Sequence, residues 1–203
     1  MSRTICLALS AVLGTVLSGL LPAESAETRR PKRAPDSVYV PTPGDVVAKM
    51  LEVAAVTKDD IVYDPGCGDG RMVVMAAKKF GCRGVGIELS PKLVQEARAN
   101  AQRNSVEKLV RIREDDIYAV DLSEATVVTL YLLPEMNVKL IKQLQKLKPG
   151  ARIVAHDYRF TDRSGEERVG EPDKTLTMTS KEDAVEHYIY LWKAPLPVQP
   201  ATR

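Results

Sequence analysis

An acid and three glycines share one turn early in the chain, and their types and spacing suit ligand binding. Ile61-Val62-Tyr63 is a short apolar run, and Asp64 follows it. Gly66, Gly68 and Gly70 then come at alternate positions before Met72 to Phe80 takes up helical spacing. Strand, glycine turn and helix N-terminus in that order form the binding loop of an open α/β sheet, presenting backbone amides to a ligand. A dinucleotide loop spaces its glycines G-x-G-x-x-G and ends on a small residue, where this chain has Arg71. Asp64 would repel a pyrophosphate but suits a ligand that carries an ammonium group. Glu88 stands 20 residues after Gly68, at the end of the run Arg83 to Ile87, where a doubly wound fold accepts ribose hydroxyls. An ammonium, a ribose and no phosphate describe S-adenosylmethionine. That is the ligand expected here, held by Asp64, Gly66, Cys67, Gly68, Gly70 and Glu88.

The flanking segments must position these residues. Tyr39-Val40-Pro41-Thr42-Pro43 leads into a helix, with Thr42 expected as its N-cap and Pro43 as its first residue. Val46, Val47, Met50, Leu51 and Ala54 fall at helical spacing, so Tyr39 and Thr42 are expected over the ligand if this helix closes that end of the sheet. Ser90 and Pro91 start a second helix that runs to about Asn104. Leu109 to Arg113 is a third strand, ending in Glu114-Asp115-Asp116-Ile117. Asp116 with Ile117 is the expected adenine contact, a carboxylate for the amino group and an apolar face for the ring, with Asp115 as the competing register. Ala125 to Leu133 suits a central parallel strand buried on both faces, and Glu135 to Leu147 a helix after the break at Pro134. Ala151 to Ala155 is a fifth strand that runs out into His156-Asp157-Tyr158. After a loop over Arg159 to Lys174, Thr175 to Thr179 and Glu186 to Trp192 read as an antiparallel edge pair. The fold class is therefore α/β: a doubly wound, mostly parallel Rossmann-like sheet with an antiparallel C-terminal edge pair.

Composition sets the outer bounds. With 203 residues, 44% of them hydrophobic and 28% charged, the chain can bury one sizeable core. A net charge of +2 carries no nucleic-acid footprint, so no nucleic-acid partner is expected. No pair among Cys6, Cys67 and Cys82 has metal-ligand spacing, and neither a metal nor a disulfide framework is expected. After Arg3, the run Ile5 to Leu21 is apolar, and Ala23-Glu24-Ser25 offers the small residues of a cleavage site. It reads as a signal peptide in preference to an uncleaved anchor, since it is close to the lower limit of about 17 residues for a spanning helix. The expected divisions are this segment (1–26), a basic linker (27–38), one domain (39–193) and an unstructured Pro-rich tail (194–203). An exported or membrane-associated protein is expected, the N-terminal segment being the route to any membrane.

Asp64 to Gly70, Glu88 and Asp116-Ile117 resemble the first motif, the ribose acid and the adenine contact of class I S-adenosylmethionine-dependent methyltransferases, over about Tyr39 to Trp192. Tyr39 to Pro43, Asp64 to Arg71 and Tyr131-Leu132-Leu133-Pro134 further resemble a smaller group, the ATP synthase c-subunit and adenine nucleotide translocase lysine methyltransferases. The resemblance implies methyl transfer from S-adenosylmethionine to a lysine of a protein substrate. The alternatives are a small-molecule methyltransferase and a non-catalytic cofactor-binding protein of the same fold. Amide and adenine methylases resemble one another in an Asn/Asp-Pro-Pro-aromatic string where this chain has Tyr131 to Pro134, which disfavours those acceptors. The candidate catalytic residues are Tyr131, as acceptor wall or core tyrosine, and His156, as proton relay or hydrogen-bonding residue. His187 is read as structural. One departure is that the helix usual after the fifth strand has no counterpart.

Overall fold

The computed structural model describes residues 37–199. The expected N-terminal segment, Cys6, nearly all of the basic linker and the last four residues lie outside the described residues. Seven strands form one sheet: β1 (Ile61–Pro65), β2 (Arg83–Glu88), β3 (Val110–Glu114), β4 (Val127–Leu130), β5 (Arg152–His156), β6 (Lys174–Thr179) and β7 (Glu186–Lys193). Their order is β3-β2-β1-β4-β5-β7-β6. The first five pair in parallel, while β7 pairs antiparallel with both β5 and β6. The chain winds outward from β1 to β3, then returns to the centre at β4 and winds the other way. The switch point between β1 and β4 is where a doubly wound sheet opens a crevice beyond its strand ends.

The helices are α1 (Gly44–Val53), α2 (Arg71–Phe80), α3 (Pro91–Arg103) and α4 (Pro134–Leu144). On one face α1, α2 and α3 pack in a single apolar cluster whose sheet members include Val62, Val127, Val154 and Ile189. On the other, α4 lies over Tyr63, Val128, Leu130 and Ile153. All four residues of β4 are buried, as a central parallel strand requires, although the strand is shorter than the apolar run around it.

Beside α4 no helix follows β5. Phe160 and Val169 of the loop after it fill that space, with the Phe160 ring edge-on to Trp192 at 5.2 Å. The Pro-rich segment expected to be unstructured takes part as far as residue 199. Leu196 is buried, Gly170 donates to the Pro197 carbonyl, and Val198 bridges to Val169. Burial of apolar side chains outweighs the irregular prolines here.

At the opposite end from the crevice, Asp60 joins four segments. Its carboxylate accepts from the Thr57 amide (2.7 Å), the Thr126 hydroxyl (2.6 Å) and the Arg152 guanidinium. Arg152 also donates to the carbonyls of Ala54 and Ala55 after α1. Removing one member of a buried ion pair strands the other, so Asp60→Ala should lower the unfolding free energy by about 3 kcal/mol in urea denaturation. A loss below about 1 kcal/mol would show that water replaces the carboxylate.

Candidate active site

The glycine loop turns the chain from β1 into α2 with three left-handed glycines, Gly66 (φ 80°), Gly68 (φ 54°) and Gly70 (φ 76°). The amides of Gly66 and Cys67 both donate to the Ile87 carbonyl. The Gly68 amide donates to Glu88 Oε2 at 3.0 Å, and the Ser90 amide holds Oε1 at 2.8 Å. Both carboxylate oxygens of Glu88 are thereby oriented before any ligand arrives. At Gly68 a Cβ would stand 2.1 Å from the Tyr39 ring, so only glycine admits that ring.

Asp64 closes the same end of the cleft from β1. It is buried, and its Oδ1 accepts from the Thr129 hydroxyl at 2.7 Å. Burial, with Asp69 and Glu88 nearby, pushes its carboxyl up to about 7. A cation in the cleft would relieve that cost. The Cys67 thiol turns away from the site into the core beside Gly86, and burial raises it far above its ordinary value, so it is not a nucleophile.

The segment before α1 lies across the loop and is tied down by two residues whose role sequence reasoning missed. Arg71 grips Asp69 with Nε and Nη2 and donates from Nη1 to the Thr42 carbonyl at 2.8 Å. The Tyr39 hydroxyl bonds to Asp69, and burial together with that carboxylate raises Tyr39 to about 12, so it stays protonated. The clue in the sequence was Arg71 itself, a long cation where a dinucleotide loop has a small residue.

At the far wall Tyr131 follows β4. Its ring lies 4.0 Å from that of His156 and stacks on Tyr158 at 6.1 Å. Thr42 does not cap α1, whose N-cap is Pro43; its hydroxyl instead meets His156 Nδ1 at 3.2 Å. Burial pushes His156 down to about 4, so it is neutral at pH 7. Its Nε2 lies 2.9 Å from Nδ1 of His187.

The resulting cleft encloses about 220 Å³. Tyr39, Thr42, Asp64, Gly66, Cys67, Glu88, Ile117 and Tyr131 line it, as do Asp69, Arg71, Ser90 and Met136, which were not among the expected site residues. Four expected residues are not on its wall. Gly68 is covered by Tyr39, and Gly70 abuts Ala97 of α3. Asp116 turns onto the Tyr118 amide at 3.0 Å. His156 is fully buried behind Thr42 and Tyr131, so it cannot touch an acceptor directly. Asp115, the competing register, pairs with Arg113.

Comparison with known proteins agrees with this geometry. The sequence model of the ANTKMT methyltransferase domain matches residues 64–167. The chain belongs to this methyltransferase family. A protein-lysine N-methyltransferase of Saccharolobus islandicus is 44% identical over 147 residues, 71% of this chain and 91% of that one. An ATP synthase c-subunit lysine N-methyltransferase of Xenopus laevis is 37% identical over 60% of this chain, which spans 54% of that protein. The structure of an RNA methyltransferase from Salinibacter ruber with S-adenosylhomocysteine superposes with a TM-score of 0.66 at 42% identity, covering 81% of this chain and 97% of that one. This is an S-adenosylmethionine-dependent methyltransferase of the Rossmann-like class.

Asp64 supplies a test of this methyltransferase without its cofactor. Its folded carboxyl titrates near 7 against 3.8 for the ordinary group, so folding favours the protonated form. That stability is complete below about pH 4 and is lost as pH rises through 7. Asp64→Asn should raise the melting temperature of the ligand-free protein at pH 8 and leave it nearly unchanged at pH 4. The pH 8 gain should be on the order of a few kcal/mol at about 1.36 kcal/mol per unit. An equal change at both pH values would place the cause elsewhere.

Proposed function

We propose that this methyltransferase transfers methyl groups to a lysine of a protein substrate. The observation that carries the reading is the 44% identity to a protein-lysine N-methyltransferase across 91% of that relative. Bound S-adenosylmethionine supplies an electrophilic methyl on a sulfonium, released by in-line attack. In this reading Asp64 faces the ammonium of the cofactor and Glu88 the ribose hydroxyls, while Ile117 covers the adenine beside Asp116. The glycines Gly66, Gly68 and Gly70, with Cys67, keep the loop backbone low, and Tyr39 and Thr42 close over it.

The residues fit a cation. Three carboxylates, Asp64, Asp69 and Glu88, converge on the cleft, while Arg71 neutralises Asp69 alone. On the acceptor side the chain must present the amine neutral and aligned. At pH 7 deprotonating an ordinary lysine, pKa about 10.4, costs roughly 4.6 kcal/mol. Desolvation against Tyr131, Leu132 and Met136 lowers that cost, and a nearby sulfonium lowers it further. No strong base is then required, which suits the retreat of His156 from the cleft; it acts by holding Thr42 and Tyr131 in place. The apolar run Ile5 to Leu21 supports export or membrane association, with a cleaved signal favoured. N-terminal sequencing that recovers Met1 from membranes would favour an anchor.

The Salinibacter relative is described as an RNA methyltransferase, which makes RNA the competing acceptor. Lysates of a strain lacking this chain, incubated with the enzyme and methyl-labelled cofactor, separate the two. Label in protein, located on lysine by mass spectrometry, supports the proposal; label only in RNA or in small molecules overturns it. With the substrate so found, Tyr131→Ala should lower kcat at least tenfold and change cofactor affinity less than threefold. Equal losses in both would return Tyr131 to a packing role.

A further inference from the structure

The chain contains two histidines, and the fold brings both to one point. His156 ends β5 and His187 lies near the start of β7, with Asp157 between the two strands. Nε2 of His156 and Nδ1 of His187 are 2.9 Å apart, and Oδ2 of Asp157 is 3.2 Å from each. An ion bound at about 2.1 Å sets its donors about 3.0 Å apart at right angles and about 3.4 Å apart at tetrahedral angles. The edges of the triangle lie near the right-angle end of that range.

The outer partners point the lone pairs inward. His156 Nδ1 can donate to the Thr42 hydroxyl at 3.2 Å, which leaves Nε2 as an acceptor. His187 Nε2 lies 3.2 Å from an oxygen of Asp183, the carboxylate–histidine pairing that orients metal ligands; with the proton on Nε2, the Nδ1 lone pair faces His156 and Asp157. Asp157 adopts a left-handed backbone (φ 57°), and its Oδ1 accepts from the Tyr188 amide at 2.8 Å, so Oδ2 is the oxygen presented to the histidines. Both imidazoles are buried, while Asp157 and Asp183 are partly open and give an ion a path in.

We propose that His156, Asp157 and His187 form a site for a divalent first-row transition ion, with zinc as the reference occupant. Two imidazoles and one carboxylate suit such ions and not magnesium, which prefers oxygen donors. The ion lies on the side of His156 away from Thr42, so it is not a Lewis acid at the transferred methyl. It cross-links β5 to β7 and fixes the His156 ring against which Thr42 and Tyr131 rest. This site is independent of which acceptor the enzyme methylates.

The test uses the full chain without a histidine tag, dialysed against chelator and titrated with Zn²⁺, with no methyl donor present. One equivalent should bind and raise the melting temperature, while millimolar Mg²⁺ should not. Asp157→Asn, which tolerates the left-handed backbone, should weaken Zn²⁺ binding at least 100-fold, and Asp183→Asn 10- to 100-fold. With Co²⁺, paramagnetically shifted imidazole resonances should come from both histidines, a readout that needs no variant to fold. Absence of saturable binding, unchanged affinity in Asp157→Asn, or Co²⁺ shifts from one histidine or none would each overturn the proposal.

Discussion

The bond from the Gly68 amide to the Glu88 carboxylate is the joint on which the rest of the cleft depends. It fixes the loop after β1 to the end of β2, so two of the three acids of the cleft, Asp64 and Glu88, keep a set separation. The same bond places the open face of Gly68 outward. There the Tyr39 ring lies where any side chain would collide. A hydrogen bond and a missing Cβ together determine where the segment before α1 crosses the site.

From that crossing the contacts run continuously to the far wall. Tyr39 reaches Asp69, Asp69 is held by Arg71, and Arg71 holds the Thr42 carbonyl. The Thr42 hydroxyl meets His156, whose ring supports Tyr131. The two ends of the cleft are thus built on one network, in which Thr42 contributes its carbonyl to one end and its hydroxyl to the other. The electrostatics follow the same division. Carboxylates gather at the glycine loop, where only Asp69 has its own cation, and burial keeps Asp64 poised to ionise when a positive ligand arrives. The wall around Tyr131, Leu132 and Met136 is apolar or aromatic, which favours a neutral nucleophile.

Much of this was legible in advance because it is local. Asp64, the three glycines and Glu88 lie within 25 residues, and a strand followed by a tight turn and a helix leaves them little freedom. Helical spacing likewise placed Val46, Val47, Met50 and Leu51 in the core. Thr42 shows the limit of local reading. Its type and position suit an N-cap, yet a buried histidine 114 residues away takes its hydroxyl, since leaving that ring nitrogen unpaired in the core would cost more than an uncapped helix start. Asp116 shows a second limit. In the turn after β3 one oxygen of its carboxylate accepts from the Tyr118 amide while Ile117 lines the cleft, and periodicity does not resolve one residue.

The amino-acid sequence by itself determined the element types, the glycine loop, the cofactor class and the order of chemistry along the chain. The elements and the loop follow from residues a few positions apart, and the cofactor class from the 25 residues spanning Asp64 to Glu88. Only the tertiary structure decided that β7 inserts beside β5 instead of lying at the edge, and with that it set His187 against His156. Strand order is chosen by the burial of whole faces, here Ile189 and Leu191 under α1 and Trp192 against Phe160, and no local pattern carries that sum. Two histidines 31 residues apart become neighbours because an antiparallel pairing returns the chain to the end of β5, a consequence of packing that spacing does not encode.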